Sequence, residues 1–210
     1  MKTIINDCNI KRLFDYCSGK NIKFRDENEE NIYLSFMSDS NSYMREAVTA
    51  LAAGYQWNSE KLGDDALNTE TNEPVEIKPK SHYSNYKTPS NGGGSFNDYT
   101  HERINKHKEK QLVVVCSLFS DNRLMYVLEF PFSVIYERLK EQVIKKIDIQ
   151  GNKYCRTASF SWKDYIYSNN IKIHYIDFPS IKQHKCISKE FIKQLENIVS
   201  PPNTLLKYIV

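Results

Sequence analysis

No stretch of this sequence is apolar over the roughly 20 residues that a membrane-crossing helix needs. Nor does the start, Met1-Lys2-Thr3-Ile4-Ile5-Asn6-Asp7, carry the hydrophobic run of a secretory signal. A cytoplasmic protein with no membrane partner is therefore expected. Cysteine is scarce and odd in number: Cys8, Cys17, Cys116, Cys155 and Cys186 form no C-x-x-C pair. That argues against a disulfide framework or a structural zinc, and for thiols acting as small core hydrophobes. Glycine is sparse too, and the run Gly92-Gly93-Gly94 is not followed by Gly-Lys-Ser/Thr, so a phosphate-cradling P-loop is excluded. Serine and cysteine nucleophiles have no local signature. His101, Asn105 and His107 lack the flanking strands and second acid that an HNH-type nuclease site would need.

What the chain does have is a normal globular composition, with hydrophobic residues at 40% of 210 positions, enough for one domain spanning 1–210 with a real core. Its net charge of +3 hides an asymmetry. Residues 1–77 hold 8 Lys+Arg against 14 Asp+Glu, a net of −6, whereas residues 78–210 hold 21 against 12, a net of +9. A surface that tracks phosphates would need such a basic part, although a solvated lysine-rich exterior gives a similar count.

The chemistry concentrates where the sign changes. Gly63-Asp64-Asp65-Ala66-Leu67 is followed, after the polar segment 68–73, by Pro74-Val75-Glu76-Ile77-Lys78-Pro79-Lys80. On a strand, alternation turns Val75 and Ile77 into a core and sets Glu76 beside Lys78 on the other face. The polar segment is turn-prone, so the two runs can fold back as an antiparallel pair that brings Asp65 beside Glu76. Two carboxylates at one point suit a hard divalent cation such as Mg2+, and a neighbouring lysine can orient water or stabilise a pentavalent transition state. Glu76-Ile77-Lys78 is the chain's one acid-x-Lys triplet.

These residues resemble the D...(D/E)-x-K signature of the PD-(D/E)xK nucleases, and Gly63-Asp64-Asp65-Ala66 resembles the G-x-D-A form of many type II restriction endonucleases. The likeness covers residues 43–80 directly, and no proline precedes Asp65, a departure from the family pattern. It implies an α/β fold with a central mixed β-sheet flanked by helices. It also implies Mg2+ held by Asp65, Glu76 and the main-chain carbonyl of Ile77, with Lys78 activating water. A site-specific endonuclease on double-stranded DNA, working as a two-fold homodimer, is the expected function. Two alternatives stay open: a nicking, repair or junction-resolving nuclease of the same fold, and a non-catalytic DNA-binding protein.

The rest of the chain supplies candidate supports. Residues 1–40 look like an N-terminal elaboration, with a helix from an Asn6 cap to Cys17 and a short strand over 32–36 after the acidic turn 26–30. Residues 43–180 would form the catalytic core. Its first helix, Tyr43 to Tyr55, carries Glu46, which by the resemblance joins the metal site. Residues 81–110 are expected to be a DNA-reading loop and helix. In them Asn91, Asn97 and Asp98 would meet bases, and Arg103 and Lys106, with Lys80 just before, would meet phosphates. Runs over 112–119 and 123–130 predict central strands, Pro131 opens a core helix, residues 153–167 and 171–177 are strand-like, and Ser188 caps a last helix to Val199.

Overall fold

The computed structural model describes residues 7–37, 42–60, 63–82 and 91–199. In chain order the helices α1 (Asp7–Cys17), α2 (Glu27–Met37) and α3 (Tyr43–Ala53) lead into strands β1 (Gln56–Trp57), β2 (Ala66–Leu67), β3 (Pro74–His82) and β4 (Gly93–Tyr99). Then come α4 (His101–Glu109), β5 (Val113–Ser120), β6 (Arg123–Pro131), α5 (Ser133–Ile144), β7 (Cys155–Ser161), β8 (Lys172–Ile176), α6 (Phe178–Gln183) and α7 (Lys189–Val199). Six strands form a mixed sheet in the order β1-β2-β3-β5-β6-β8, parallel between β3 and β5 and antiparallel elsewhere. β4 and β7 make a separate antiparallel ribbon. The chain is thus a mixed α/β protein with a central sheet flanked by helices, as expected.

Strand alternation divides the core into two layers. Val75, Ile77, Val113, Val115 and Val127 face α1, α2 and α3, packing on Leu13, Phe36, Val48 and Ala52. Val114, Cys116, Leu118, Leu128 and Phe130 face the ribbon, α5 and α7. Val75 and Ile77 are fully covered, each burial stabilising by about 1.5–3 kcal/mol. That cost fixes the register, because a one-residue slip of β3 would turn both into the other layer. Asp121 and Asn122, both at positive φ (46° and 63°), close the β5–β6 hairpin as a type I′ turn requires.

Several expectations are corrected. Residues 32–36 are helical, not a strand. Asp26 Oδ1 accepts from Glu29 N–H at 2.8 Å, and Glu27, Glu29 and Glu30 fill the first turn, so the acidic turn is a cap with charges suited to the helix dipole. Ile32 and Phe36 then fall on one buried face. The expected loop over 81–100 contains the end of β3 and all of β4 among its described residues. Pro131 ends β6, and α5 starts two residues later and runs on into a π-helical turn, Lys145–Ile149. The strand over 153–167 stops at Ser161, where a 3-10 turn takes over. The Asn6 cap lies outside the described residues. Among the described residues no helix is long and apolar enough to cross a membrane.

Candidate active site

β2 pairs with β3 only through Ala66↔Val75 and Leu67↔Pro74, whereas β3 continues to His82 alongside β5. Beyond Val75, no strand among the described residues pairs with the β2-side edge of β3. Asp65, one residue before β2, fills the next ladder position with its side chain: Oδ2 accepts the Ile77 N–H at 2.8 Å. A strand residue's N–H and C=O point to the same side, so the Ile77 carbonyl also faces this edge. Asn58 holds the turn, its N–H on the Asp65 carbonyl at 2.9 Å and its amide on the Asp64 carbonyl at 3.1 Å. Asp64 itself turns away to Lys110, Nζ to Oδ2 3.3 Å.

Glu76 and Lys78 stand together on the ribbon side of β3, the lysine ammonium donating to Glu76 Oε1. The lysine stem is held from above. A methyl group on Gly94 would come within 2.8 Å of Lys78 Cγ and 3.0 Å of Phe160 Cε1, so only glycine lets β4 lie this close. Nζ sits 4.7 Å from the centroid of the Phe96 ring, a cation–π contact that positions the charge. Nearby, Tyr99 OH lies 2.6 Å from His107 Nδ1. Burial lowers the pKa of this imidazole against the opposing pull of Glu76, which keeps the ring neutral.

Burial and the Glu76 charge push the Asp65 carboxyl up to about 7, with Glu46 adding to the effect and Lys78 and the Ile77 N–H opposing it. Asp65 thus feels two like charges, Glu76 and Glu46, against the ammonium of Lys78. As they stand the three carboxylates do not converge: Glu76 is turned to Lys78, Asp65 to Ile77, and Glu46 Oε1 to Ser42 Oγ at 3.2 Å. Mutual repulsion accounts for that spread. The donors are all oxygen and the charge is in surplus on the negative side, which fits a hard divalent cation and not a soft one.

Beside these groups runs a groove of about 510 Å³. One wall is Ser42 and Glu46 of α3, the floor is Ile77 to Lys80, and the other wall is Gly92 to Ser95 and Ser159 to Ser161 of the ribbon. Hydroxyls, two lysines and glycine backbone are donors suited to phosphate oxygens. Asp65, Glu76, Ile77, Lys78 and Glu46 are brought to one locality, and Lys80 lies in the groove.

The other expected DNA contacts are not brought there. Asn91 is buried, its Oδ1 accepting from Ser188 N–H at 2.7 Å and its carbonyl from Tyr126 OH at 2.7 Å, so it holds two segments together and cannot reach a base. Asn97, Asp98, Arg103 and Lys106 are exposed outside the groove lining. Arg103 donates to the Asn97 carbonyl at 2.9 Å and lies over Tyr99. Thr100 caps α4, accepting from Arg103 N–H at 3.1 Å. His101 pairs with Asp148 at 2.9 Å, away from His107, so no HNH-like site forms from them. The groove residues missed in the sequence are Gly94, Ser95 and Ser159–Ser161, together with Phe96 behind Lys78. The glycine run was the only visible signal, and it serves close packing on Lys78. No protein-family model matches the chain, and a search of curated proteins finds no match.

Proposed function

We propose that this protein is a Mg2+-dependent endonuclease on double-stranded DNA, built on a restriction-endonuclease-like core and similar in its site to type II restriction enzymes. One observation carries the reading: the Asp65 carboxylate takes the Ile77 N–H at the β2-side edge of β3. That bond holds Asp65 against the strand that carries Glu76, the Ile77 carbonyl and Lys78, and the two carboxylates would turn in from Ile77 and Lys78 to meet a cation. Asp65, Glu76 and the Ile77 carbonyl would hold the cation. Mg2+, when bound, supplies Lewis acidity toward a phosphodiester oxygen and toward water.

The chain's own residues do the rest. With Glu76 engaged by the cation, the Lys78 ammonium would be released from its carboxylate partner, its stem held by Gly94 and its charge by Phe96 at the groove. Lys78 then orients the attacking water and stabilises charge on the phosphorane, a contribution of about 10²–10⁴-fold. Glu46 adds negative charge on the α3 side. Lys80 and the groove hydroxyls position the backbone of the scissile strand. A two-fold homodimer, presenting two such sites to a palindrome, belongs to the same proposal.

The test is cleavage of a large mixed-sequence duplex by the purified protein with Mg2+, with chelator, and with Lys78→Ala. Discrete fragments that need both metal and Lys78 support the proposal. A metal-dependent smear or nick favours the repair-type nuclease, and binding without cleavage by either form favours the non-catalytic DNA-binding protein.

A further inference from the structure

Beyond Lys80, β3 ends in a group of different chemistry. His82 is buried, and its ring packs edge-on against His184 with centroids 5.1 Å apart. His184 follows α6, and Cys186 comes two residues later. The ligating atoms of His82, His184 and Cys186 all lie within 4.8 Å of one another. Two further contacts orient the middle ligand. The Cys186 N–H points at His184 Nδ1 at 3.3 Å, so Nδ1 is the acceptor nitrogen and the ring proton sits on Nε2, which lies 2.5 Å from Ser120 Oγ. A metal ion would take the Nδ1 lone pair in place of the long Cys186 N–H contact, while Nε2–H goes on donating to Ser120 Oγ, the outer hydrogen bond that aims an imidazole ligand.

We propose that His82, His184 and Cys186 bind one Zn2+ ion. Two neutral imidazoles and a thiolate are borderline-soft donors, which select zinc and reject Mg2+. Bonds of about 2.0–2.3 Å separate the ligands of a tetrahedral zinc by roughly 3.3–3.8 Å, so side-chain rotations of about an ångström close the set. The Cys186 thiol gives up its proton on binding, and a fourth position is left for water. The ion ties the end of β3 to the loop between α6 and α7. Ser188 in that loop already holds Asn91 at 2.7 Å, and Gly92 to Gly94 follow directly. Zinc therefore braces both the strand that carries Glu76 and Lys78 and the wall that packs on them. The scattered cysteines gave no hint of this, because the ligands are brought together only by the fold.

The test uses the full chain, freed of metal with a chelator and titrated with Co2+ as a spectroscopic stand-in for zinc. The expected result is one Co2+ per chain that gives thiolate-to-metal charge-transfer absorption and the strong visible bands of four-coordination, displaced by Zn2+ and not by Mg2+, with any Co2+ at Asp65 and Glu76 contributing neither signal. Cys186→Ser should remove the thiolate band. His184→Ala should weaken binding by about 100-fold or more, and Ser120→Ala by about 10-fold. Cys8→Ser, at an exposed cysteine elsewhere, should leave the titration unchanged. His184 and Cys186 are only partly buried, so their variants should fold, which circular dichroism checks. Absence of a thiolate band in the parent chain, or its persistence in folded Cys186→Ser, overturns the proposal.

Discussion

Two carboxylates, one on the central sheet and one at the turn before β2, behave in opposite ways. Glu129 on β6 is 5% exposed, and three groups converge on it: Lys172 Nζ at 2.7 Å, His174 Nε2 at 2.6 Å and the Tyr55 hydroxyl. Burial works against its ionisation, yet the His174, Lys172 and Tyr55 hydrogen bonds outweigh burial and hold its pKa down to about 2. Asp65 has one backbone N–H and a distant share of one lysine, among two other carboxylates, and is pushed up to about 7. Glu129 is satisfied and therefore structural. Asp65 is left wanting positive charge, the condition of a group that waits for a ligand.

Removing each partner in turn sharpens the contrast. Glu129→Ala strips the acceptor from His174 and Tyr55, and should destabilise the chain by about 2–4 kcal/mol in urea unfolding. An unchanged midpoint would dissolve the distinction from that side. Gly94→Ala should cost about 1–3 kcal/mol through overpacking and lower cleavage by displacing Lys78, whose Cβ and Cγ would lie 2.9 and 2.8 Å from the new methyl. Wild-type cleavage in that variant would mean that the ribbon does not position the lysine.

Acid titration separates the two carboxylates by sign. The Arg12 hydrogen bond outweighs burial at Glu29, with Arg25 assisting, and holds Glu29 at about 2. Both Glu29 and Glu129 stabilise the fold fully above their unfolded pKa of about 4.3, and this is lost as pH falls toward 2. Asp65 runs the other way. Its penalty is complete above about pH 7 and is relieved as pH falls toward 4. Without added metal, stability should peak at about pH 4.5–6. Asp65→Asn should flatten the alkaline limb and raise stability at pH 8 by roughly 1 kcal/mol. A limb identical in both proteins would show that Asp65 ionises normally. The smallest effect is expected at Lys80: Lys80→Ala should weaken duplex binding several-fold and reduce its salt slope by about 1, uniformly across sequences. Loss confined to one sequence would instead make Lys80 a base contact.

The legible part of the fold was the local part. Alternation in Val75-Glu76-Ile77-Lys78 fixed which residues face the core, and the short polar return allowed the pairing that brings Asp65 to this strand. Helical spacing placed Glu46 on the element just before, and its role came only from the family resemblance. α2 was misread because its capping Asp26 and acidic first turn look like a solvent turn, while Ile32-Tyr33-Leu34 has strand composition. β4 was missed because Gly93, Gly94, Ser95 and Asn97 are poor strand formers, and their pairing with Ser161 to Thr157 is long-range. The same limit hid the Asn91–Ser188 tie and the meeting of His82 with His184.

The most direct test sets the two carboxylates side by side: Mg2+-dependent cleavage of duplex DNA by Asp65→Asn and Glu129→Gln, each with its thermal midpoint. Cleavage should fall at least about 100-fold in Asp65→Asn at an unchanged or raised midpoint, and persist in Glu129→Gln at a lowered midpoint. Full cleavage by folded Asp65→Asn would contradict the assignment of the active site.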